Sequence, residues 1–454
     1  MLKPKVQLSL LAEDFYNRYQ RHKQVAFFTL GCKVNQYETD AMEHLFRDAG
    51  YEVTDFESFA DVYVINTCTV TSMSDKKSRQ MIRRAKKHNE NAIIAVVGCY
   101  SQKSPDEVIA IEGVNLVMGT SDRNKIVTEV EKLDVKDHVI EVEDIMKQRV
   151  FEALSIEETY GKTRAFLKIQ EGCDRFCSYC IIPYTRGPVR SRPINDIISE
   201  VKSLAKNGYK EVVLTGIHVA SYGKDLGDIR LIDVIKAIND IDGIHRIRTS
   251  SVEPLIITDD FLSELKEIDK FCPHFHLSLQ SGSDSVLERM NRRYDKAEYK
   301  SAVDKIRKIY PDAAITTDII VGFPGESDAE FEETREYLEG INLYEMHIFK
   351  FSPREGTKAA AMDNQVKPEI KNHRSEMLIE LAEKNKLEFE EKLVGKEVEV
   401  LFESSENGIY EGHTMNYVKV HVQSDMDLIG EIARVNIDRL ENKKIYGKII
   451  QNEI

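Results

Sequence analysis

Between residues 164 and 352 short apolar runs and helical patterns alternate six times, and this alternation constrains the fold more than any other feature of the chain. The runs RAFLKIQ, EVVLTG, HRIRTSS, HFHLSLQ, AAITTDIIVGF and EMHIFKFS read as strands. Between them PINDIISEVKSLAKNG, LIDVIKAINDI, TDDFLSELKEI, KAEYKSAVDKIRKIY and DAEFEETREYLEG have the apolar spacing of helices. Strands joined by helical crossovers pair in parallel, so the pattern predicts a complete or partial (βα)6 TIM-type barrel. Such barrels place their working residues on the loops that follow the strands.

The flanks obey other patterns. From Val25, VAFFTL, DVYVINT and AIIAVVG are continuously apolar strands separated by the helical stretches YETDAMEHLFRDAG and SDKKSRQMIRRAKKHN, which predicts a parallel sheet covered on both faces and reaching about residue 145. Residues 1–23 read as a polar leader holding one amphipathic helix (Leu8, Leu11, Phe15, Tyr19), with no function attached. The charged stretch 135–160, without a clear strand, is the expected linker. A long helical pattern from Lys367 leads to Gly395, after which KEVEVLF, IYEGHTMNYVKVHVQ, EIARVNI and KKIYGKII alternate as the strands of a small β barrel, the size of an appended binding module. The expected division is 1–23, 24–145, 159–387 and 388–454, and a chain of 454 residues has the length for about three domains.

Lys and Arg number 63 against 77 Asp and Glu, a net charge of −14, so nothing in the overall balance announces nucleic acid. Contact with RNA then has to come from local patches. Arg186, Arg190 and Arg192 form one, and Lys76, Lys77, Arg79, Arg83, Arg84, Lys86 and Lys87 on one helix form another, although a helix this basic is commonly just a solvated face. The terminal β module carries seven Lys and Arg against eleven Asp and Glu from Gly395 onward, which argues against binding by bulk charge. With no Trp, base stacking falls to Tyr, Phe or arginine planes. No apolar stretch approaches the ~20 residues of a membrane span and the opening residues do not read as a signal peptide, so a cytoplasmic protein with no membrane contact is expected.

Seven cysteines without a secretory signal argue for free thiols or metal ligands rather than disulfides. Cys173, Cys177 and Cys180 lie on the loop after the first barrel strand, where three thiolates can take three corners of an iron–sulfur cube and leave the fourth iron open. A structural zinc loop is the alternative, but zinc wants a fourth protein ligand and no Cys or His is near in sequence. Cys32, Cys68 and Cys99 each end a strand of the first sheet. Loops after successive parallel strands converge on one edge, so a second three-thiolate site is expected there, although a lone cysteine at a strand end is more often a small buried hydrophobe. Cys272 has no cysteine neighbour and reads as structural, and His218, His245, His274 and His276 read as packed or hydrogen-bonded core groups. Thr215 and Gly216, Glu253 and Gln280 follow the second, third and fourth barrel strands and are expected to face the barrel mouth. Arg292 is suited either to a carboxylate ligand or to a surface salt bridge. Gly322-Phe323-Pro324-Gly325 is a tight turn that either admits a ligand to the backbone or simply links strand to helix.

The loop Cys173-Asp-Arg-Phe-Cys177-Ser-Tyr179-Cys180 resembles the signature of the radical S-adenosylmethionine (SAM) enzymes. In that superfamily the open iron binds SAM and reductive cleavage yields a 5′-deoxyadenosyl radical, hard chemistry that belongs to the cofactor while the protein orients it. Together GCKVNQYETD, NTCTVT, VVGCYSQ, GCDRFCSYCIIPYTRGPVRSR, LTGIHVASYGKD, LSLQSGSDSVLERMNRRY, DIIVGFPGES and SPREGTKAA resemble the radical SAM methylthiotransferases from about residue 24 onward. The resemblance implies a flavodoxin-like first domain with an auxiliary [4Fe-4S] cluster on Cys32, Cys68 and Cys99, a radical barrel with its [4Fe-4S] cluster on Cys173, Cys177 and Cys180, and a terminal antiparallel TRAM barrel that contacts substrate. It implies conversion of C–H to C–SCH3 with two SAM molecules, and Tyr179, Thr215, Gly216, Glu253, Gln280 and Arg292 around the cofactor. Gly31-Cys32-Lys33-Val34-Asn35-Gln36, with Gly216-Ile217-His218 and Tyr222-Gly223-Lys224-Asp225, resembles the branch acting on N6-threonylcarbamoyladenosine beside the tRNA anticodon. The isopentenyladenosine branch usually has Gln-Met-Asn after the first cysteine, and a third branch modifies a ribosomal protein. The implied partners are a tRNA anticodon stem-loop, a flavodoxin- or ferredoxin-type electron donor and a sulfur donor. The rival from another class is a non-catalytic, zinc-dependent RNA-binding protein.

Overall fold

The computed structural model describes residues 8–154 and 163–450, so the first seven residues of the leader and part of the expected linker lie outside the described residues. The first sheet contains β1 (Gln24–Thr29), β2 (Glu52–Thr54), β3 (Val62–Thr67), β4 (Ile93–Gly98), β5 (Leu116–Met118) and β6 (Val139–Glu141), all parallel, in the order β2-β1-β3-β4-β5-β6. This is the flavodoxin-type doubly wound order with one strand added at the edge. β3 and β4 are buried along their whole length because helices cover both faces. The added strand corrects the sequence expectation for 135–160: Val139–Glu141 pairs with β5 and extends the sheet. The helix Ala12–Tyr19 inserts Phe15 into one of the two cores flanking the sheet, beside Phe46 and Leu116.

The second body contains β7 (Arg164–Glu171), β8 (Arg190–Ser191), β9 (Glu211–Gly216), β10 (Arg246–Thr249), β11 (His274–His276), β12 (Ala314–Val321) and β13 (Glu345–Lys350). The sheets β10-β9-β7-β8 and β11-β12-β13 are joined by parallel bridges Ile247↔Phe271 and Val252↔Leu277. Six parallel strands therefore follow one another in chain order as an open barrel, with the short antiparallel β8 beside β7. Alternation decides what faces inward. Ala165, Leu167 and Ile169 pack outward under the helices with Val212, Leu214, Ile247, Phe275 and Ile319, which turns Phe166, Lys168, Glu211, Arg248, His276 and Asp318 to the interior.

The helix Pro368–Glu391 leads to β14 (Glu397–Glu406), β15 (Ile409–Thr414), β16 (Lys419–Gln423), β17 (Ile432–Glu441) and β18 (Lys444–Ile449), a closed barrel in the order β14-β15-β16-β18-β17. The expected barrel was wholly antiparallel; here β16 and β18 run parallel. An odd ring of strands cannot alternate direction all the way round, so one parallel pairing is unavoidable. The run expected as a single strand, IYEGHTMNYVKVHVQ, is a hairpin whose turn holds Tyr417 at a φ of +70°.

The hairpin turn plugs the open barrel from below, at the amino ends of its strands. Arg246 donates to His413 O (2.8 Å) and Glu399 O (3.0 Å), and Arg248 to Met415 O (2.9 Å). The Tyr417 ring stacks on His274, with centroids 4.7 Å apart and planes at 13°, and the Arg248 guanidinium lies 4.8 Å from its centroid. The small barrel thus sits at the end opposite the cysteine loop. Among the described residues no helix is long and apolar enough to cross a membrane.

Candidate functional site

Gly172 ends β7 at a φ of +72°, and a Cβ there would lie 1.8 Å from Pro188 O, so only glycine lets the chain turn into the cysteine loop. The loop is then pinned by the segment around Met290: Ser178 N donates to Met290 O (2.9 Å), Ser178 Oγ to Arg289 O (2.8 Å) and Asn291 Nδ2 to Phe176 O (2.9 Å). Arg292 Nη1 lies 3.2 Å from Cys177 Sγ and its Nη2 lies 3.8 Å from Glu253 Oε1. Glu253 also meets Arg175 and, at 3.2 Å, His218 Nε2. Burial on its own would raise the Glu253 carboxyl; His218, Arg292 and Arg175 more than offset it and hold the group at about 2.

The second trio forms at the carboxyl edge of the first sheet. Cys32 follows β1, Cys68 follows β3 and Cys99 follows β4. Two glycines let these loops approach: a Cβ on Gly31 would lie 3.1 Å from Cys68 Sγ, and one on Gly98 would lie 2.5 Å from Asn66 Oδ1. Asn35 ties the loops together, donating to Leu30 O (2.8 Å) and Thr67 O (2.9 Å).

One residue that follows the cysteine loop in the chain reaches the second trio. Arg186, six positions beyond Cys180, sends Nε to Cys99 Sγ (3.3 Å) and Nη2 to Asn35 Oδ1 (2.7 Å), while Nη1 meets Glu171 Oε1 (2.7 Å) and Glu38. It belongs to a buried ionic cluster in which Glu38 and Glu171 face Arg123, Lys168, Arg186 and Arg190, every side chain at most 2% exposed. Burial pushes the Glu38 carboxyl up, but Arg123, Arg186 and Lys168 outweigh it and hold it at about 2. The expectation that Arg186, Arg190 and Arg192 meet RNA phosphates is therefore corrected: all three are internal, with Arg192 paired to Glu200 at 2.6 Å. Their carboxylate partners are too far off in sequence for spacing to reveal them. On the basic helix Ser72–His88, Arg79 pairs with Glu107 and Arg84 with Glu57, whereas Lys76, Lys77, Arg83 and Lys87 are exposed, with no ion pair among the described residues.

Of the residues expected around a cofactor, Tyr179, Glu253 and Arg292 gather at the cysteine loop. Gln280 holds the β11–β12 rim at a φ of +75°, its backbone bonded to Asp318 and Ile320. Gly216 abuts Gln170, which bonds His218 N (2.7 Å), and the Thr215 hydroxyl turns to Val213 O (3.1 Å) rather than into the mouth. Sequence reasoning missed Arg175 and assigned Arg186 to RNA rather than to Cys99; closeness to the cysteines was the available signal for both. Gly322, within the expected tight turn, has a φ of +71° and receives the Glu326 carboxylate on its N–H at 2.6 Å. Cys272 is fully buried, as expected of a structural residue.

The donor sets suit iron–sulfur cubes. Among the described residues the group whose ligand atoms all lie within 4.8 Å of one another is His276, Asp318 and His347; both cysteine trios are more open than that. A single zinc ion draws every sulfur to about 2.3 Å and so demands tighter convergence, whereas a cube gives each thiolate its own iron. Burial also pushes the thiols of Cys68 and Cys173 up to about 11 and Cys180 to about 12, so these groups ionise at neutral pH when a metal takes the proton's place. Arg186 and Arg292 place guanidinium groups directly beside the Cys99 and Cys177 sulfurs.

A family model described as the radical SAM superfamily matches residues 167–338, and one described as uncharacterized protein family UPF0004 matches residues 24–119. The barrel and its cysteine loop thus define a radical SAM enzyme, whose class carries [4Fe-4S] clusters and binds SAM. Over 95% of its length the chain is 43% identical to threonylcarbamoyladenosine tRNA methylthiotransferase MtaB of Bacillus subtilis (strain 168), covering 98% of that relative. The namesake from Aquifex aeolicus (strain VF5) is 41% identical over 91% of this chain and 100% of its own. The tRNA-2-methylthio-N(6)-dimethylallyladenosine synthase of Thermoanaerobacter sp. (strain X514) is 38% identical over 93% of this chain and 92% of its own. The chain belongs to the radical SAM methylthiotransferase family. Among solved structures, the radical SAM methyltransferase TsrM from Kitasatospora setae shares the fold at a TM-score of 0.55, with 14% identity over 74% of this chain and 77% of that one.

Proposed function

We propose that this enzyme converts N6-threonylcarbamoyladenosine next to the tRNA anticodon into its 2-methylthio derivative. The observation that carries the reading is the presence of two three-cysteine groups, one after β7 of the barrel and one at the carboxyl edge of the first sheet, within one chain that matches relatives named for this reaction over more than nine-tenths of its length. In this reading Cys173, Cys177 and Cys180 hold the radical cluster, and Cys32, Cys68 and Cys99 the auxiliary one. Tyr179, Thr215, Gly216, Glu253, Gln280 and Arg292 surround SAM. The division of labour follows the expected boundaries, with 24–145 carrying the auxiliary site, 159–387 the radical barrel and 388–454 the TRAM barrel.

When bound, the radical cluster and SAM would supply the one-electron activation of a C–H bond, the auxiliary cluster a place for sulfur from its donor to be attached, and a second SAM the methyl group. The chain supplies orientation and charge. Arg292 donates to the Cys177 sulfur and is itself steered by Glu253, and Arg186 does the same for Cys99 against Glu38 and Glu171. Hydrogen bonds to cluster sulfurs tune reduction potentials, so both arginines bear on electron entry. Tyr417, stacked on His274, packs the hairpin of the terminal barrel against the lower end of the radical barrel. A flavodoxin- or ferredoxin-type protein delivers electrons, a separate donor provides sulfur, and the reaction takes place in the cytoplasm. The exposed Lys76, Lys77, Arg83 and Lys87 offer phosphate contacts for the tRNA.

The test is mass spectrometry of nucleosides from tRNA bearing threonylcarbamoyladenosine, after anaerobic incubation with reconstituted protein, SAM, a reductant and a sulfur source. The 2-methylthio derivative is the expected product. Release of 5′-deoxyadenosine without that nucleoside would keep the chemistry and overturn the substrate.

A further inference from the structure

Lys33 directly follows Cys32, yet its side chain leaves the first sheet and enters the radical barrel. Its ammonium lies 5.9 Å from the centroid of Phe166, on the inner wall of β7. The ionisable groups acting on it are Tyr417, Arg164, Arg248 and Glu211, all at the floor of the barrel. It is nevertheless solvent-exposed, so its ammonium is accessible to a ligand. Among the described residues no carboxylate pairs with it. Glu211 is already shared among Arg248 (2.8 Å), Arg246 (3.9 Å) and Arg164 (4.0 Å), and Arg164 takes Glu403 at 2.8 Å. Four cations at the floor face two carboxylates, and Lys33 is the cation left over.

The chemistry of a purine says what reaches this floor. The glycosidic nitrogen and the exocyclic N6 lie at opposite ends of the base, with C2 on the flank. A base held by its sugar from outside, with C2 turned to the sulfur centre, therefore carries its N6 substituent ahead of it. Relatives named for threonylcarbamoyladenosine and for dimethylallyladenosine are 43% and 38% identical to this chain, so overall likeness separates the two weakly. Their N6 substituents differ sharply, because the threonylcarbamoyl arm ends in a carboxylate and the dimethylallyl arm is a hydrocarbon.

We infer that Lys33 is the specificity-determining residue that binds the carboxylate of the N6 arm, at a subsite formed by the excess cationic charge of the barrel floor. The inference rests on the substrate reading above and deepens it. Once the bound base covers it, an ammonium–carboxylate pair discriminates against a neutral arm by about tenfold, since its charge-assisted hydrogen bonds have no counterpart there.

The test compares anticodon stem-loop RNAs carrying threonylcarbamoyladenosine, its carboxamide analogue, or dimethylallyladenosine, by anaerobic binding to the cluster-loaded protein and by turnover. Wild type should bind the acid about tenfold or more tightly than the amide. Lys33→Gln should bind acid and amide alike, at the wild-type affinity for the amide, and Lys33→Arg should recover most of the preference. Iron and sulfide content, measured on each variant, separates loss of the subsite from damage to the neighbouring Cys32. An iron-replete Lys33→Gln that keeps the full preference for the acid would overturn the inference. Equal binding of acid and amide by wild type would overturn it without any variant, including the case in which the variants lose iron. Failure of wild type to modify the acid RNA at all is a different result, and overturns the substrate reading itself.

Discussion

Arg186 bonds groups from three separate parts of the chain: the helix carrying Asn35 and Glu38, the loop at Cys99, and β7 at Glu171. Removing one partner from a buried ionic cluster leaves the others uncompensated, at a cost of about 3–5 kcal/mol. Arg186→Met should therefore lower the thermal midpoint substantially, whereas Arg83→Met, on the exposed face of the basic helix, should leave it nearly unchanged; scanning calorimetry of both distinguishes the roles. The cysteines give a sharper contrast. Cys177→Ala should abolish SAM cleavage, read as 5′-deoxyadenosine. Cys68→Ala should retain cleavage and form no methylthio product; methylthio product from that variant would show that the auxiliary trio is misassigned. At this scale the sequence was only half legible. The placing of six cysteines just after β1, β3, β4 and β7 could be read from spacing and strand position, but the inward turn of Arg186, Arg190 and Arg192 could not, because an arginine's direction is set by carboxylates that the fold brings from far away.

Elements were legible in proportion to their length and apolar content. The six barrel strands read clearly because each buries one face under helices, whereas β2, β5 and β6 escaped, being three residues long, and two of them, EVT and VIE, are only partly apolar. The hairpin of β15 and β16 escaped because its turn is closed by Tyr417 at positive φ with no glycine to mark it. The stack on His274 repays that conformation. Tyr417→Ala should cost about 3 kcal/mol of stability through the lost packing, visible as a lowered denaturation midpoint. Glycine positions carry the opposite message. Gly172→Ala would drive a Cβ into Pro188 O, so the cysteine loop should fail to close and the chain should lose the iron of that trio while keeping that of the other, by chemical iron analysis.

At the scale of the whole molecule, polar and charged contacts join the three bodies. The ionic cluster joins the flavodoxin-like sheet to the barrel, and Arg246, Arg248 and Glu211 line the seam with the terminal barrel. Such seams respond to acid. The Glu38 carboxyl sits at about 2 in the folded chain against about 4.5 when free, and Glu171 and Glu211 are also lowered, with burial opposing the shift and the neighbouring cations prevailing. A depressed carboxylate contributes stability that is fully present above its unfolded pKa and lost as the pH falls toward its folded one. The calorimetric midpoint of the metal-free chain should thus be flat down to about pH 5 and fall steeply between about 4.5 and 2; a midpoint that stays flat through that window would contradict the role given to these pairs. The three-body architecture itself was legible, from the change of period along the chain. The way the bodies dock was not, because it depends on charges that pair across hundreds of positions. The central claim is that one chain holds two independent iron–sulfur centres, and counting iron and acid-labile sulfide after anaerobic reconstitution tests it most directly. Wild type should carry two [4Fe-4S] cubes, and replacing either Cys32, Cys68 and Cys99 or Cys173, Cys177 and Cys180 by alanine should leave one. A colourless protein with stoichiometric zinc, or loss of all iron when either trio is removed, would contradict the account.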